Sequence, residues 1–148
     1  MVDMALNLVK LCVGVDTIED LEGWIKFRLE EKRRNGQPPE HFHTTRMIPK
    51  RTDELLDGGS LYWVIRGNIQ VRQKLLEIRP FRDAEGIKRC HLVLEPVLVP
   101  TVWLPKRPFQ GWRYLTVKDA PADMASGDDG FAELPAAFRR ELAELGLL

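Results

Sequence analysis

The sequence predicts an α+β domain: a mainly antiparallel, strongly bent or barrel-like sheet with one N-terminal and one short C-terminal helix. Three observations carry that expectation. Residues 61–65 (Leu-Tyr-Trp-Val-Ile) form an unbroken run of apolar, β-branched and aromatic side chains, too short to nucleate a helix and bounded by Gly58-Gly59 and Gly67-Asn68. Residues 87–94 alternate, with Cys90, Leu92 and Leu94 on one side and Arg89 and His91 on the other, as a half-buried strand does. Residues 18–29 instead place Ile18, Leu21, Trp24, Ile25 and Phe27 to Leu29 at helical spacing.

In chain order, residues 5–13 read as a buried strand with Leu6, Leu8, Lys10 and Cys12 on one side and Asn7, Val9, Leu11 and Val13 on the other. Asp16 or Thr17 caps the helix, because Thr17-Ile18-Glu19-Asp20 has the form that satisfies first-turn amides. Asn35-Gly36 ends it, after a basic last stretch. Residues 41–48 resume as a strand, and residues 52–56 make one helical turn. Gly67-Asn68 is expected as a two-residue type II′ hairpin turn, which pairs residues 61–66 with residues 69–73. The returning strand holds Ile69 and Val71 on one face and then Leu76 and Ile78, a shift that implies a bulge near Leu75. A helix over residues 70–78 is the competing reading. Pro96 and Pro100 bracket an edge segment that continues to Leu104. Residues 119–130 read as an acidic surface loop, and Leu134, Phe138, Leu142 and Leu145 space a C-terminal helix.

A chain of 148 residues, 44% hydrophobic, can bury one core, so a single domain over 1–148 is expected, with 119–148 appended to the sheet. Net charge is zero but unevenly spread: residues 43–114 hold 13 Lys and Arg against 7 Asp and Glu. That basic middle suits a phosphate-facing surface, although a solvated mixed-charge face is the plainer account. Cys12 and Cys90 sit among apolar residues without CxxC spacing, as free thiols in a reducing compartment would. The N-terminal apolar stretch is broken by Asp3, Asn7 and Lys10, and no segment reaches membrane-spanning length, so a cytoplasmic location with no membrane partner is expected.

Over most of its length the chain resembles a family of small alphaproteobacterial proteins of unknown function. The likeness lies in LVKLCVG near the start, DELLDGGSLYWVIRG and VRQ in the middle and RPFQGWRYL near the end. A weaker resemblance is to PUA-like barrels of the EVE and ASCH type. It rests on a first strand ending in Lys and a turn, the Thr17 to Leu21 helix start, and a Gly-Gly-x-Leu-Tyr-Trp strand start. That resemblance implies binding of RNA or of modified bases. The Asn-x-x-Ala-Arg-Asn segment of the EVE pattern is missing.

The residue chemistry points the same way. Arg46, Lys50, Arg51, Arg66, Arg72, Arg107 and Arg113 interleave with Tyr62 and Trp112, and Gln73 is an odd polar residue in a strand. Cations that neutralise phosphate beside rings that stack bases are what recognition of RNA or single-stranded DNA requires. Against this, Trp63 is better placed to fill the core, Trp112 suits either role, and Arg72 and Gln73 suit structural hydrogen bonds. An enzyme acting on an anionic small molecule, or a binding protein for one, is the alternative. Asp53, Asp57, His91 and Glu95 are its acid–base candidates, although no diagnostic catalytic spacing occurs. A third is a protein-interaction edge at residues 96–108. His41 and His43 share a strand face as a metal pair would, but lack a third ligand nearby, so no metal and no cofactor is expected.

Overall fold

The computed structural model describes residues 5–124. Seven strands and two helices follow one another as β1 (Leu6–Leu11), α1 (Ile18–Arg34), β2 (His41–Thr45), α2 (Thr52–Leu55), β3 (Ser60–Ile65), β4 (Asn68–Arg82), β5 (Lys88–Leu94), β6 (Val99–Pro105) and β7 (Trp112–Thr116). The strands lie in the order β2-β5-β4-β3-β1-β7, with β6 paired to β4. The α+β class holds. The sheet, however, is mixed, because β1 runs parallel to β3 while the other pairings are antiparallel. Among the described residues the pairing path does not return on itself, so the sheet is open rather than a closed barrel. The expected C-terminal helix, residues 134–145, lies outside the described residues.

Local chemistry explains α1. Thr17 Oγ1 accepts from the Asp20 amide at 3.0 Å while Asp20 Oδ2 accepts from the Asp16 amide at 3.1 Å, so one first-turn donor and the amide just before the cap are satisfied. At the other end Gly36 takes φ +72°, and the Gln37 amide donates back to the Lys32 carbonyl at 2.8 Å. A Schellman close of this kind needs a residue at positive φ, which glycine supplies without strain. Leu21 and Ile25 face the sheet, but Trp24 and Phe27 remain exposed and stack on each other.

The β3–β4 hairpin forms as expected, and β4 is a strand throughout rather than a helix. Its turn differs by one residue. The two central positions are Arg66 (φ 49°) and Gly67 (φ 82°), both at positive φ as type I′ requires, and Ile65 pairs with Asn68. A bulge explains the shift: Gln70 is an extra residue between the Trp63–Val71 and Val64–Ile69 pairs. Ile69 and Val71 consequently face opposite sides of the sheet, which corrects the shared face expected for them. A second bulge lies at Leu76, so Leu75 and Ile78 point inward and Leu76 points out.

Arg66 carries a side chain at a φ where L residues are strained, and its one ion pair among the described residues, with Asp16 at 3.4 Å, is exposed. An exposed pair of this sort contributes little. Arg66→Asn is therefore expected to raise stability by about 0.5–1 kcal/mol, read as a higher urea midpoint at unchanged slope.

The two sheet faces bury two clusters. One, beneath α1, includes Leu8, Leu21, Ile25, Leu61, Trp63, Val71, Leu92 and Trp112; the other gathers Val9, Tyr62, Val64, Ile69 and Leu115. All six residues of β3 are buried, because this strand is covered on both faces. The first part of the expected acidic loop instead lines the edge of β6. The Val102 amide donates to the Ala122 carbonyl and the Met124 amide to the Pro100 carbonyl, each at 2.9 Å. Arg72 ties this segment down by two bonds to Asp123, of 2.7 and 2.6 Å, and one to Ser60 Oγ.

Candidate ligand cavity

A mainly apolar cavity of about 460 Å³ lies between α1 and the sheet. It is lined by the end of β1 and the following turn (Lys10 to Val15), by Asp20, Leu21, Trp24 and Arg28 of α1, by His41 and His43 of β2, and by Trp63 of β3. Alternation on β1 turns Lys10 and Cys12 to the side of Leu8, which is the α1 side. Register then sets Lys10 beside Trp63 on one neighbour and Trp112 on the other.

How β2 reaches this site is a matter of curvature. In the pairing order β2 lies three places from β3, about 14 Å in a flat sheet, yet the His43 ring meets Trp63 edge-on at 5.2 Å. The 15-residue β4 links the two: residues 68–74 pair with β3 and residues 75–82 with β5, with a bulge within each pairing. Trp63 is fixed as a wall by a relay of hydrogen bonds. Its Nε1 donates to Gln73 Oε1 at 2.8 Å, and Gln73 Nε2 donates to the Glu95 carbonyl at 3.0 Å. Gln73 is fully buried by this role, so it does not face a ligand.

Electrostatics inside the cavity follow from burial. His41 and His43 are both held down to about 4, mainly by desolvation, with Arg28 and Lys32 acting on the first and Lys10, Arg28 and His41 on the second. Both imidazoles are therefore neutral at pH 7. Burial also lowers Lys10 and pushes the Cys12 thiol up to about 12, leaving that thiol un-ionised. Among the described residues neither Lys10 nor Arg28 forms an ion pair with a carboxylate; Arg28 lies over the Trp24 ring at 5.7 Å. The two histidines do share a face, but among the described residues no three His, Cys, Asp or Glu side chains cluster to hold a metal ion.

The basic and aromatic residues singled out in the sequence do not form one surface. Trp112 is only 5% exposed, belongs to the core and donates from Nε1 to the Met47 carbonyl at 2.8 Å, so its ring is not free to stack a base. Tyr62 and Arg113 belong to the opposite sheet face, with Tyr62 buried and Arg113 over the Phe109 ring. Arg72 is engaged by Asp123, and Arg66 pairs with Asp16 at the hairpin tip. Arg46 is exposed just after β2, and Lys50 and Arg51 lie against the β7 edge. Tyr114 Oη accepts from the amides of Lys50 and Arg51, and Arg51 pairs with Glu54. Arg107 is exposed in the β6–β7 connection. None of Asp53, Asp57, His91 and Glu95 lines the cavity; His91 lies instead between the Phe42 and Phe81 rings.

Sequence reading passed over Lys10, Arg28 and Trp24 as site residues. A signal for Lys10 was present, since it is the one charge on an otherwise apolar strand side. Arg28 and Trp24 carried none, because an amphipathic helix displays such residues routinely.

Fold and site together define an α+β protein with an open mixed sheet and an aromatic-walled cationic cavity. Over residues 8–148 the chain matches, and belongs to, the family described as protein of unknown function, DUF1489. No curated protein and no solved structure matches it. Among the described residues no helix is long and apolar enough to cross a membrane.

Proposed function

We propose that this protein binds a small, flat, anionic molecule of the nucleotide or aromatic-phosphate kind in the cavity beneath α1. One observation carries the reading: Lys10 and Arg28 enter an apolar, tryptophan-walled space without a carboxylate partner among the described residues. Lys10 is partly desolvated there, a cation so placed is ordinarily paired, and here the ligand supplies the missing charge. Trp24, exposed on α1, offers a flat surface, and the neutral His41 and His43 offer one donor and one acceptor each for orienting a heterocycle. The two free cysteines fit a reducing, cytoplasmic setting.

Titrating the full chain with nucleoside monophosphates and with phosphorylated or carboxylated aromatics, followed by tryptophan fluorescence, tests the proposal. Saturable quenching is expected, and Arg28→Gln should weaken binding about tenfold or more, since a hydrogen bond between charged groups contributes about 1.5–3 kcal/mol. Absence of both quenching and thermal stabilisation across the panel would overturn it.

A second reading, binding of RNA or single-stranded DNA, rests on the exposed Lys50 and Arg51 at the β7 edge, with the exposed Arg46 four residues before Lys50 in the chain. It requires affinity for mixed oligonucleotides that falls steeply with salt and that drops when Lys50 or Arg46 becomes Ala. Salt-independent affinity would remove it.

A further inference from the structure

The same cavity holds a feature that anion binding does not require. Lys10 and Cys12 project from one side of β1 into it, next to His43, so it contains an amine and a thiol as potential nucleophiles. The thiol is suppressed, because burial raises Cys12 to about 12 and little thiolate forms at neutral pH. The amine is treated in the opposite sense. Lys10 is partly buried beside Cys12 and Trp63, with Arg28 lining the same cavity, and among the described residues no carboxylate forms an ion pair with it to hold its proton. Desolvation is a circumstance that favours the neutral form of a lysine amine, the form that attacks carbonyls.

We propose that Lys10 is a nucleophilic amine that captures the carbonyl of a phosphorylated or carboxylated aldehyde as an imine, with Arg28 holding the anion. The inference deepens the anion-binding reading and rests on it. In the step, the lone pair of neutral Lys10 Nζ forms a bond to the carbonyl carbon while the carbonyl π pair passes to oxygen, which takes up a proton. The resulting carbinolamine loses its hydroxyl as the nitrogen lone pair closes the C=N bond. Both amine hydrogens leave with the carbonyl oxygen as one water, so no oxidant or further reactant is needed. His43, neutral at pH 7, can accept a hydrogen bond from the attacking amine while water carries the proton from nitrogen to oxygen.

Pyridoxal 5′-phosphate is a suitable probe, being flat, anionic and an aldehyde. After incubation at neutral pH, borohydride reduction and peptide mapping, Lys10 should be labelled at least about tenfold faster than the exposed Lys26, Lys50 or Lys74. Lys10→Arg and Lys10→Met, each checked for an unchanged fold by circular dichroism, should lose the imine absorbance and the label at this site. Pyridoxine 5′-phosphate, the alcohol that cannot form an imine, separates the two ideas. If it binds in the cavity while the aldehyde labels lysines indiscriminately, the imine inference is overturned and the anion pocket stands. If neither compound binds, the pocket reading itself falls. Selective labelling of Lys10 together with binding of the alcohol supports both.

Discussion

Gly59→Ala is expected to destabilise the fold by about 3 kcal/mol or more, enough to unfold much of a marginally stable domain at room temperature. A Cβ at this position would lie 2.1 Å from the Leu6 carbonyl oxygen and 2.3 Å from that of Leu55. Neither can retreat cheaply, because both oxygens are backbone atoms at the junction of β1, α2 and β3. The Gly59 amide donates to the Leu55 carbonyl at 3.0 Å, and its carbonyl accepts from the Leu75 amide at 3.0 Å, so the residue is held from two sides. Nearby, the buried Asn7 adds a third tie by accepting from the Ser60 amide at 2.9 Å. The same chemical change at Gly23 should act in the opposite direction. Gly23 lies inside α1 with nothing near its absent Cβ, so Gly23→Ala should stabilise by up to about 1 kcal/mol through helix propensity alone. Urea midpoints of the two variants that move in the same direction would contradict the packing argument.

What the sequence made legible was local. The cap at Thr17, the Gly36 stop and the alternation around Cys90 depend on residues within a few positions of one another, and each was found where expected. The β3–β4 pairing was legible too, since a short turn forces antiparallel neighbours. The parallel β1–β3 contact was not. It joins Leu8 to Leu61 across α1, β2 and α2, and nothing near either residue declares the partner. The one-residue displacement of the hairpin turn was hidden for another reason: only the Gln70 bulge, fixed by a bond from Gln70 Nε2 to the Ile65 carbonyl, makes it necessary. The aromatic–basic grouping failed as a surface because strand alternation was not applied across neighbours, which sends Tyr62 and Trp112 to opposite faces. The cavity combines β1, α1, β2 and β3, so its membership became visible only once the bend of β4 was known.

Acidification should destabilise the protein between about pH 6.5 and 4, before its carboxylates are protonated. His41 and His43 have folded values of about 4 against an ordinary 6.5, so within this window the unfolded chain binds protons that the folded chain refuses. Their stabilising effect is fully present above pH 6.5 and is lost as pH falls through 4. Each histidine contributes at most about 3 kcal/mol, from a displacement of some 2.5 units at 1.36 kcal/mol per unit. The carboxylates held low by arginine, Asp123 by Arg72 and Asp83 by Arg89, also lose their contribution on acidification. They do so only below their ordinary range near 4, so the upper part of the window belongs to the histidines. His91, lowered by burial and Arg79, adds in the same direction from outside the cavity. Urea midpoints measured at several pH values should therefore fall steeply from 6.5 to 4.5 in the native sequence and much less in a His41→Gln, His43→Gln double variant. Parallel curves for the two proteins would refute the assignment. An anion in the cavity should blunt the fall, because negative charge beside the imidazoles favours their protonated form. By the same linkage, the proposed ligand should bind more tightly as pH drops toward 5, as long as its own charge is unchanged.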